Sequence, residues 1–279
     1  MPRGSRIRLD ELVFSRGLAP SRSVARALIM AGQVLVEGQM SDKAGTPIDE
    51  TASVTLKERP RFVSRAGDKL DAALDCFGLE VMGVSALDVG ASTGGFVDCL
   101  LQRGAARVIA LDVGKGQLDF KIRNDPRVHV IEGLNARYLG PSALPWVPDL
   151  VTMDVSFISV TKVLPAVITC MAESFRGVIL IKPQFEAGPR DVGKGGIVRN
   201  VEVHRRVLRE TAEVVIGSLG VELLGVCRSA VPGTGGNREF FFRIGRGGEK
   251  GLALDTLDAK IKAVLEGEAS EGGRDRVGP

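Results

Sequence analysis

The sequence predicts an α/β protein in which a doubly wound, Rossmann-like sheet of seven strands follows a small α+β head. Three observations carry this. Seven short apolar runs, Val84–Val89, Val108–Leu111, Val128–Ile131, Leu150–Met153, Val178–Ile181, Val221–Val226 and Phe240–Ile244, alternate with helical or looping segments, as strands joined by crossovers do. The first run ends in a glycine turn that opens a helix. Glu58-Arg59-Pro60-Arg61 breaks the chain after a β-like run, Ser53–Leu56. The expected organisation is a head at 1–59, a linker at 60–63, a body at 64–245 and a partly flexible appendage at 246–279, with one helix at Leu254–Leu265.

In the head, Arg8–Arg16 reads as a short helix closed by Gly17, and Ser21–Ala31 as a second closed by Gly32, glycine taking the C′ place each time. The second helix sets Val24, Ala25, Leu28 and Ile29 on one face and Arg22 and Arg26 on the other. Gln33–Gln39 reads as a strand and tight turn, with Val54–Leu56 its pairing partner. In the body, Ser64–Gly78 carries Leu70, Ala73, Leu74 and Phe77 as the stripe of an amphipathic helix.

Composition narrows the function. With 279 residues, 44% hydrophobic and 25% charged, the chain is not disordered as a whole. No run approaches the roughly 18–20 apolar residues of a membrane span, and charge rather than an apolar segment follows the N-terminus, so no secretory signal is expected. The cytoplasm is the expected address. Four scattered cysteines with two histidines lack zinc-site spacing and suit reduced, mostly buried thiols. The net charge is only +3, yet residues 1–26 hold Arg3, Arg6, Arg8, Arg16, Arg22 and Arg26 against Asp10 and Glu11. Charge of this size does not by itself predict a nucleic-acid partner, but any RNA footprint is expected to start there.

The glycine turn is Asp88-Val89-Gly90-Ala91-Ser92-Thr93-Gly94-Gly95-Phe96. Glycines admit a ligand close to the backbone, and the helix start offers free N–H groups. Ser92 stands where the dinucleotide fingerprint needs glycine, and Asp88 would repel a pyrophosphate. A cationic ligand without phosphate fits better. S-adenosylmethionine has that character, with an ammonium, a sulfonium and an adenosine. The next run ends in Asp112, placed to accept from the ribose hydroxyls, and Glu132 after the third is a candidate for the adenine edge.

Open α/β sheets bind ligands at the carboxyl ends of their strands. Leu150–Met153 runs into Asp154, expected at the cofactor as well as at the reacting group, and Val178–Ile181 runs into Lys182. Glu239 precedes Phe240–Ile244 and joins the same edge if that strand is antiparallel, and Lys69 on the preceding helix reaches the same mouth.

Over about residues 8–57, Arg22, Ser23, Ala27, Leu28, Ile29, Gly32, Val34 and Val36 resemble the S4 RNA-binding fold. Val63-Ser64-Arg65, Asp88–Phe96, Asp112-Val113-Gly114, Asn135-Ala136-Arg137, Asp154–Ile158, Lys182–Glu186 and Gly236–Glu239 make residues 5–245 resemble the TlyA (haemolysin A-like) family. These are ribosomal RNA 2′-O-methyltransferases with an S4 domain and an FtsJ-like catalytic domain. The resemblance implies S-adenosylmethionine as cofactor, a cytidine ribose in ribosomal RNA or subunits as acceptor, and Lys69, Asp154, Lys182 and Glu239 as the family's tetrad. It implies RNA contacts from Arg6, Arg8, Arg22, Arg26, Arg65 and Arg137, joined by Arg190 and Lys194 on a glycine-rich, mobile loop, Phe185–Ile197.

The chemistry suits the tetrad. A ribose hydroxyl is a poor nucleophile, so an enzyme must align it in line with the methyl group and manage one proton. Lys182 is assigned to that proton, as base or as orienter. Asp154-Val155-Ser156-Phe157 replaces the Pro-Pro-aromatic signature of base N-methylation, and neither Cys170 nor Cys227 stands at the strand end that C5 methylation needs. His129 and His204 are read as exposed or satisfied, Trp146 and Tyr138 as packing, Phe240–Phe242 as core, and Phe157 and Phe185 as apolar support with base stacking as the alternative. A non-catalytic RNA-binding factor, a membrane-active haemolysin and a nicotinamide oxidoreductase remain open alternatives.

Overall fold

The computed structural model describes residues 5–57, 60–248 and 250–267. Arg3 and residues 268–279 of the expected appendage lie outside them. The chain divides into two compact units, Met1–Pro60 and Arg61–Pro279.

In the first unit β1 (Arg6–Arg8), α1 (Leu9–Ser15), α2 (Arg22–Met30), β2 (Val34–Val36), β3 (Gln39–Ser41), β4 (Pro47–Asp49) and β5 (Val54–Leu56) follow one another. The sheet order is β3-β2-β5, and β1 pairs with β4. Ser21 caps α2 by accepting from the Val24 N–H at 3.2 Å. Leu9, Leu12, Val13, Ala25, Ile29, Val34 and Val54 make the core. The expected helices and the β2–β5 pair are present, but Val24 is 38% exposed, so Ala25 and Ile29 do the packing. Strands β1, β3 and β4, three residues each, are too short to show a period.

The second unit contains α3 (Arg65–Phe77), β6 (Ser85–Val89), α4 (Gly95–Gln102), β7 (Arg107–Asp112), α5 (Phe120–Arg123), β8 (Val128–Glu132), β9 (Leu150–Met153), α6 (Leu164–Ile168), β10 (Phe175–Ile181), α7 (Pro183–Glu186), α8 (Val201–Ser218), β11 (Glu222–Arg228), β12 (Phe240–Arg246) and α9 (Leu254–Glu266). Its seven-stranded sheet has the order β11-β12-β10-β9-β6-β7-β8. β12 is antiparallel to both neighbours, with Phe240 opposite Ile181. Side chains alternate between two apolar layers: Leu87, Val89, Val151 and Met153 enter one, Ala86, Leu150, Val178 and Leu180 the other. Phe240, Phe241 and Phe242 are buried across both, as expected.

The expected linker at 60–63 does not stand free of the second unit. Phe62 is buried in the layer under α3 and α4. Val63 N–H donates to Asp98 Oδ2 at 2.9 Å, Gln102 donates to the Arg61 carbonyl at 2.9 Å, and Arg61 pairs with Asp71. Gly67 makes room: a Cβ there would lie 2.3 Å from the Phe62 ring.

Candidate active site

One sheet edge gathers the charged residues. In strand order it carries Glu239 before β12, Lys182 after β10, Asp154 after β9, Gly90 after β6, Asp112 ending β7 and Glu132 ending β8. Strand polarity alone brings Gly90 and Glu239, 149 positions apart, to the same sheet edge.

The four tetrad candidates form two ion pairs. Lys182 Nζ lies 2.5 Å from Asp154 Oδ1, and Lys69 Nζ lies 2.6 Å from Glu239 Oε2. Both lysine side chains are only 11% exposed and Glu239 is 2%. Lys182 also donates to Ser156 Oγ at 2.9 Å, and Gln184 Nε2 reaches Glu239 Oε1 at 3.4 Å. Lys69 therefore spends its charge on Glu239. Asp68, its neighbour on α3, is exposed while Lys69 is buried, so the two point apart.

Beside the pairs lies a cleft of about 380 Å³. Of the ten residues expected at the cofactor, Gly90, Ser92, Asp112 and Asp154 line it. Gly90 has φ +87°, and a Cβ there would meet the Asp154 carbonyl oxygen at 2.4 Å, so only glycine lets the two strand ends approach. Ser92 takes φ +47° and donates its N–H to Asp112 Oδ2 at 2.7 Å, while Gly114 N–H donates to Oδ1 at 2.7 Å. Asp112 is thereby fixed at the mouth.

The other six expected cofactor residues do not line the cleft. Asp88 alternates with Val89 and so shares the face of Ala86, beneath α3 and α4. It is fully buried, accepts from Thr152 Oγ1 at 2.7 Å, and its Oδ2 has no partner among the described residues. Burial, reinforced by Asp154 and Asp112, pushes its carboxyl up to about 7, with the Thr152 hydrogen bond opposing. Ala91 is buried on the far side of the turn, and Thr93 offers its carbonyl to Asp119 N–H at 3.1 Å. Gly94 packs against Leu118 and Ile122, Gly95 against Ser64, and Phe96 against Phe241. They build the turn that presents Gly90 and Ser92. Glu132 faces elsewhere, paired with Arg123 at 2.5 Å and accepting from Gly116 N–H at 2.9 Å. Gln117, Leu134 and Asn135 line the cleft instead. They sit in loops, where no period signals orientation.

Phe157 corrects the expectation of apolar support: it is 90% exposed, lines the cleft mouth at φ +64°, and lies 5.0 Å from the Phe185 ring. Tyr138 is 73% exposed rather than packed, with the Arg137 guanidinium 5.9 Å from its ring. Trp146 packs between Arg107 and His129. His204 is buried, with Nε2 3.1 Å from the Val198 carbonyl, and His129 is exposed.

The expected RNA contacts Arg6, Arg8, Arg22, Arg26, Arg65, Arg137, Arg190 and Lys194 are all exposed. Arg8 forks onto Asp10 with two 3.0 Å bonds, and Arg22 stands 3.6 Å from it. Arg16 holds the Glu50 and Ala52 carbonyls, a structural duty. The loop carrying Arg190 and Lys194 is pinned: Asp191 pairs with Arg206 at 2.6 Å, and Asn237 bonds both Val198 N–H and the Gly196 carbonyl.

The FtsJ-like methyltransferase family profile matches residues 62–246, and the S4 domain profile residues 7–54. The chain is 43% identical over 266 residues to the 16S/23S rRNA (cytidine-2′-O)-methyltransferase TlyA of Mycobacterium tuberculosis, covering 94% of this chain and 98% of the relative. The chain belongs to the TlyA family. Hemolysin A of Brachyspira hyodysenteriae is 41% identical over 235 residues, covering 84% of this chain and 98% of the relative. A solved Streptococcus thermophilus chain described as a hemolysin superposes with a TM-score of 0.70 at 37% identity, covering 95% of this chain and 97% of that one. In this TlyA-family chain no described helix is long and apolar enough to cross a membrane.

Proposed function

We propose that the chain methylates a ribose 2′-hydroxyl of cytidine in ribosomal RNA, using S-adenosylmethionine, with the S4 unit docking the RNA on ribosomal subunits in the cytoplasm. The observation that carries this is Asp154, which lines the cleft and is ion-paired with Lys182 at 2.5 Å. The M. tuberculosis relative, named for this reaction, supports the acceptor.

The cleft fits the cofactor. Its lining acids, Asp112 and Asp154, suit a cationic ligand without phosphate. Asp112 would take the ribose hydroxyls, Leu111 and Leu134 the adenine faces, and the Gly90–Ser92 turn the close backbone approach. Bound there, S-adenosylmethionine supplies a methyl group already activated by its sulfonium. Lys182 Nζ, held by Asp154 and Ser156, orients the ribose hydroxyl for attack; only in its amine form, after the ion-paired ammonium has released a proton to solvent, does it take the hydroxyl proton as the oxygen attacks. Lys69 and Glu239 pair with each other, Glu239 immediately before β12 on the same sheet edge as Lys182. The exposed Phe157 ring, backed by Phe185, offers a face for an unstacked base.

Transfer of labelled methyl to separated, unmodified ribosomal subunits tests the reading, with the product mapped by ribose-methylation-sensitive primer extension. Wild type is expected to mark a cytidine ribose on a subunit, and Lys182→Ala to lose roughly 10²–10⁴-fold in rate while keeping cofactor affinity. RNA binding without Lys182-dependent transfer would overturn it in favour of a non-catalytic binding factor.

A further inference from the structure

Two segments leave adjacent parallel strands at the site: Asp154–Ser159 after β9 and Lys182–Glu186 after β10. Side chains tie them together where backbone pairing has stopped. Lys182 reaches Asp154 and Ser156, Phe185 meets Phe157, and Glu186 closes the far end. Glu186 Oε2 accepts from Ser159 Oγ at 2.5 Å and Oε1 from Val160 N–H at 2.9 Å, at the start of the 3-10 turn Val160–Lys162. The first segment needs such a restraint. Phe157 holds a left-handed φ of +64° with its ring exposed, a conformation that is strained for a bulky residue and persists only when its surroundings enforce it.

We propose that Glu186 is a positioning residue for the reaction: its carboxylate clasps the loop after β9 to α7 and so holds Asp154, Ser156 and Phe157 in register with Lys182. The inference rests on the methyltransferase reading above. Glu186 sits four residues beyond Lys182 and its partner Ser159 five beyond Asp154, so the clasp fixes both catalytic strand ends from outside the reacting atoms. Burial pushes the Glu186 carboxyl up from its usual value, with the Ser159 and Val160 hydrogen bonds and Lys162 opposing, as for a buried acid held by neutral donors.

The test compares Glu186→Ala, Glu186→Gln, Ser159→Ala and the Glu186→Ala/Ser159→Ala double variant in the full chain. It reads amide hydrogen exchange across residues 155–161 and methyl transfer to unmodified subunits. Glu186→Ala should speed exchange in that segment and lower kcat roughly 10- to 100-fold, with KM for S-adenosylmethionine within about twofold of wild type. Glu186→Gln should recover most of the rate, since its carbonyl still accepts from Val160 and its amide donates to Ser159 Oγ. Ser159→Ala should cost about threefold, and the double variant should be no worse than Glu186→Ala.

Unchanged exchange and kcat in Glu186→Ala overturns the proposal, as does a Gln variant as impaired as Ala. If Glu186→Ala does not fold, unchanged exchange and rate in Ser159→Ala overturns it. Failure of wild type to transfer methyl would instead overturn the methyltransferase reading, and the exchange measurements would still decide whether the clasp holds the loop.

Discussion

Asp10 in the first unit and Asp88 in the second are both buried carboxyls, 1% and 0% exposed, with opposite electrostatic surroundings. Asp10 receives the Arg8 fork, with Arg22 nearby, and these arginines hold its carboxyl below the usual range. Asp88 receives one hydroxyl, lies in the field of the Asp154 and Asp112 charges, and is pushed up to about 7 chiefly by burial. Burial is the same; compensation differs. In the first unit an internal acid organises cations that stay half exposed, an arrangement suited to a polyanion read by charge. In the second, the acid is left uncompensated in the apolar layer beneath α3 and α4, where burial favours its protonated form.

The sharpest break of this contrast is to make a buried charge in the second unit lose the partner it has. Glu239→Ala strands Lys69, and should cost roughly 3–5 kcal/mol in denaturant unfolding, whereas Glu239→Gln should cost less.

Removing the uncompensated charge should do the reverse. Because the Asp88 carboxyl is raised in the folded state, the native protein keeps a proton that the unfolded chain loses between pH 4 and 7. Stability therefore falls as pH rises through that window and levels off above it. Asp88→Asn should abolish this slope and stabilise the protein at pH 8 by up to about 4 kcal/mol. A variant less stable than wild type at pH 8 would refute the uncompensated-acid account.

Asp10→Asn should show the opposite sign. Its carboxyl is depressed, so its contribution is present above the usual carboxylate range and lost as pH falls through it. The substitution should cost about 1–2 kcal/mol at pH 7, read by thermal unfolding. The smallest effect belongs to the exposed face: Arg26→Ala should leave stability unchanged and reduce the slope of log affinity for RNA against log salt by about one unit.

Much of the site was legible because strand ends have fixed addresses. Asp112, Asp154 and Lys182 each follow an apolar run, and parallel strands deliver such residues to one edge whatever the loops do. Glu239 was legible because an antiparallel last strand starts where the others end. Side-chain direction just beyond a strand was not. The glycine turn was recognised as a whole, yet only Val89, Gly90 and Ser92 of it line the cleft, and Asp88 points to the opposite layer. Phe157 and Phe185 share one composition signal and have different exposures, because a left-handed residue turns the first outward.

The sequence by itself determined the two-part organisation, the alternation of strands and crossovers, and which charged residues reach the ligand-binding edge, since these follow from periodicity, glycine placement and strand polarity. Only the tertiary structure decided how the charges pair. Lys69 and Glu239 are separated by 170 positions, and Glu186 meets Ser159 across 27. Such pairings depend on distances of a few ångströms between separate elements, to which local periodicity is blind.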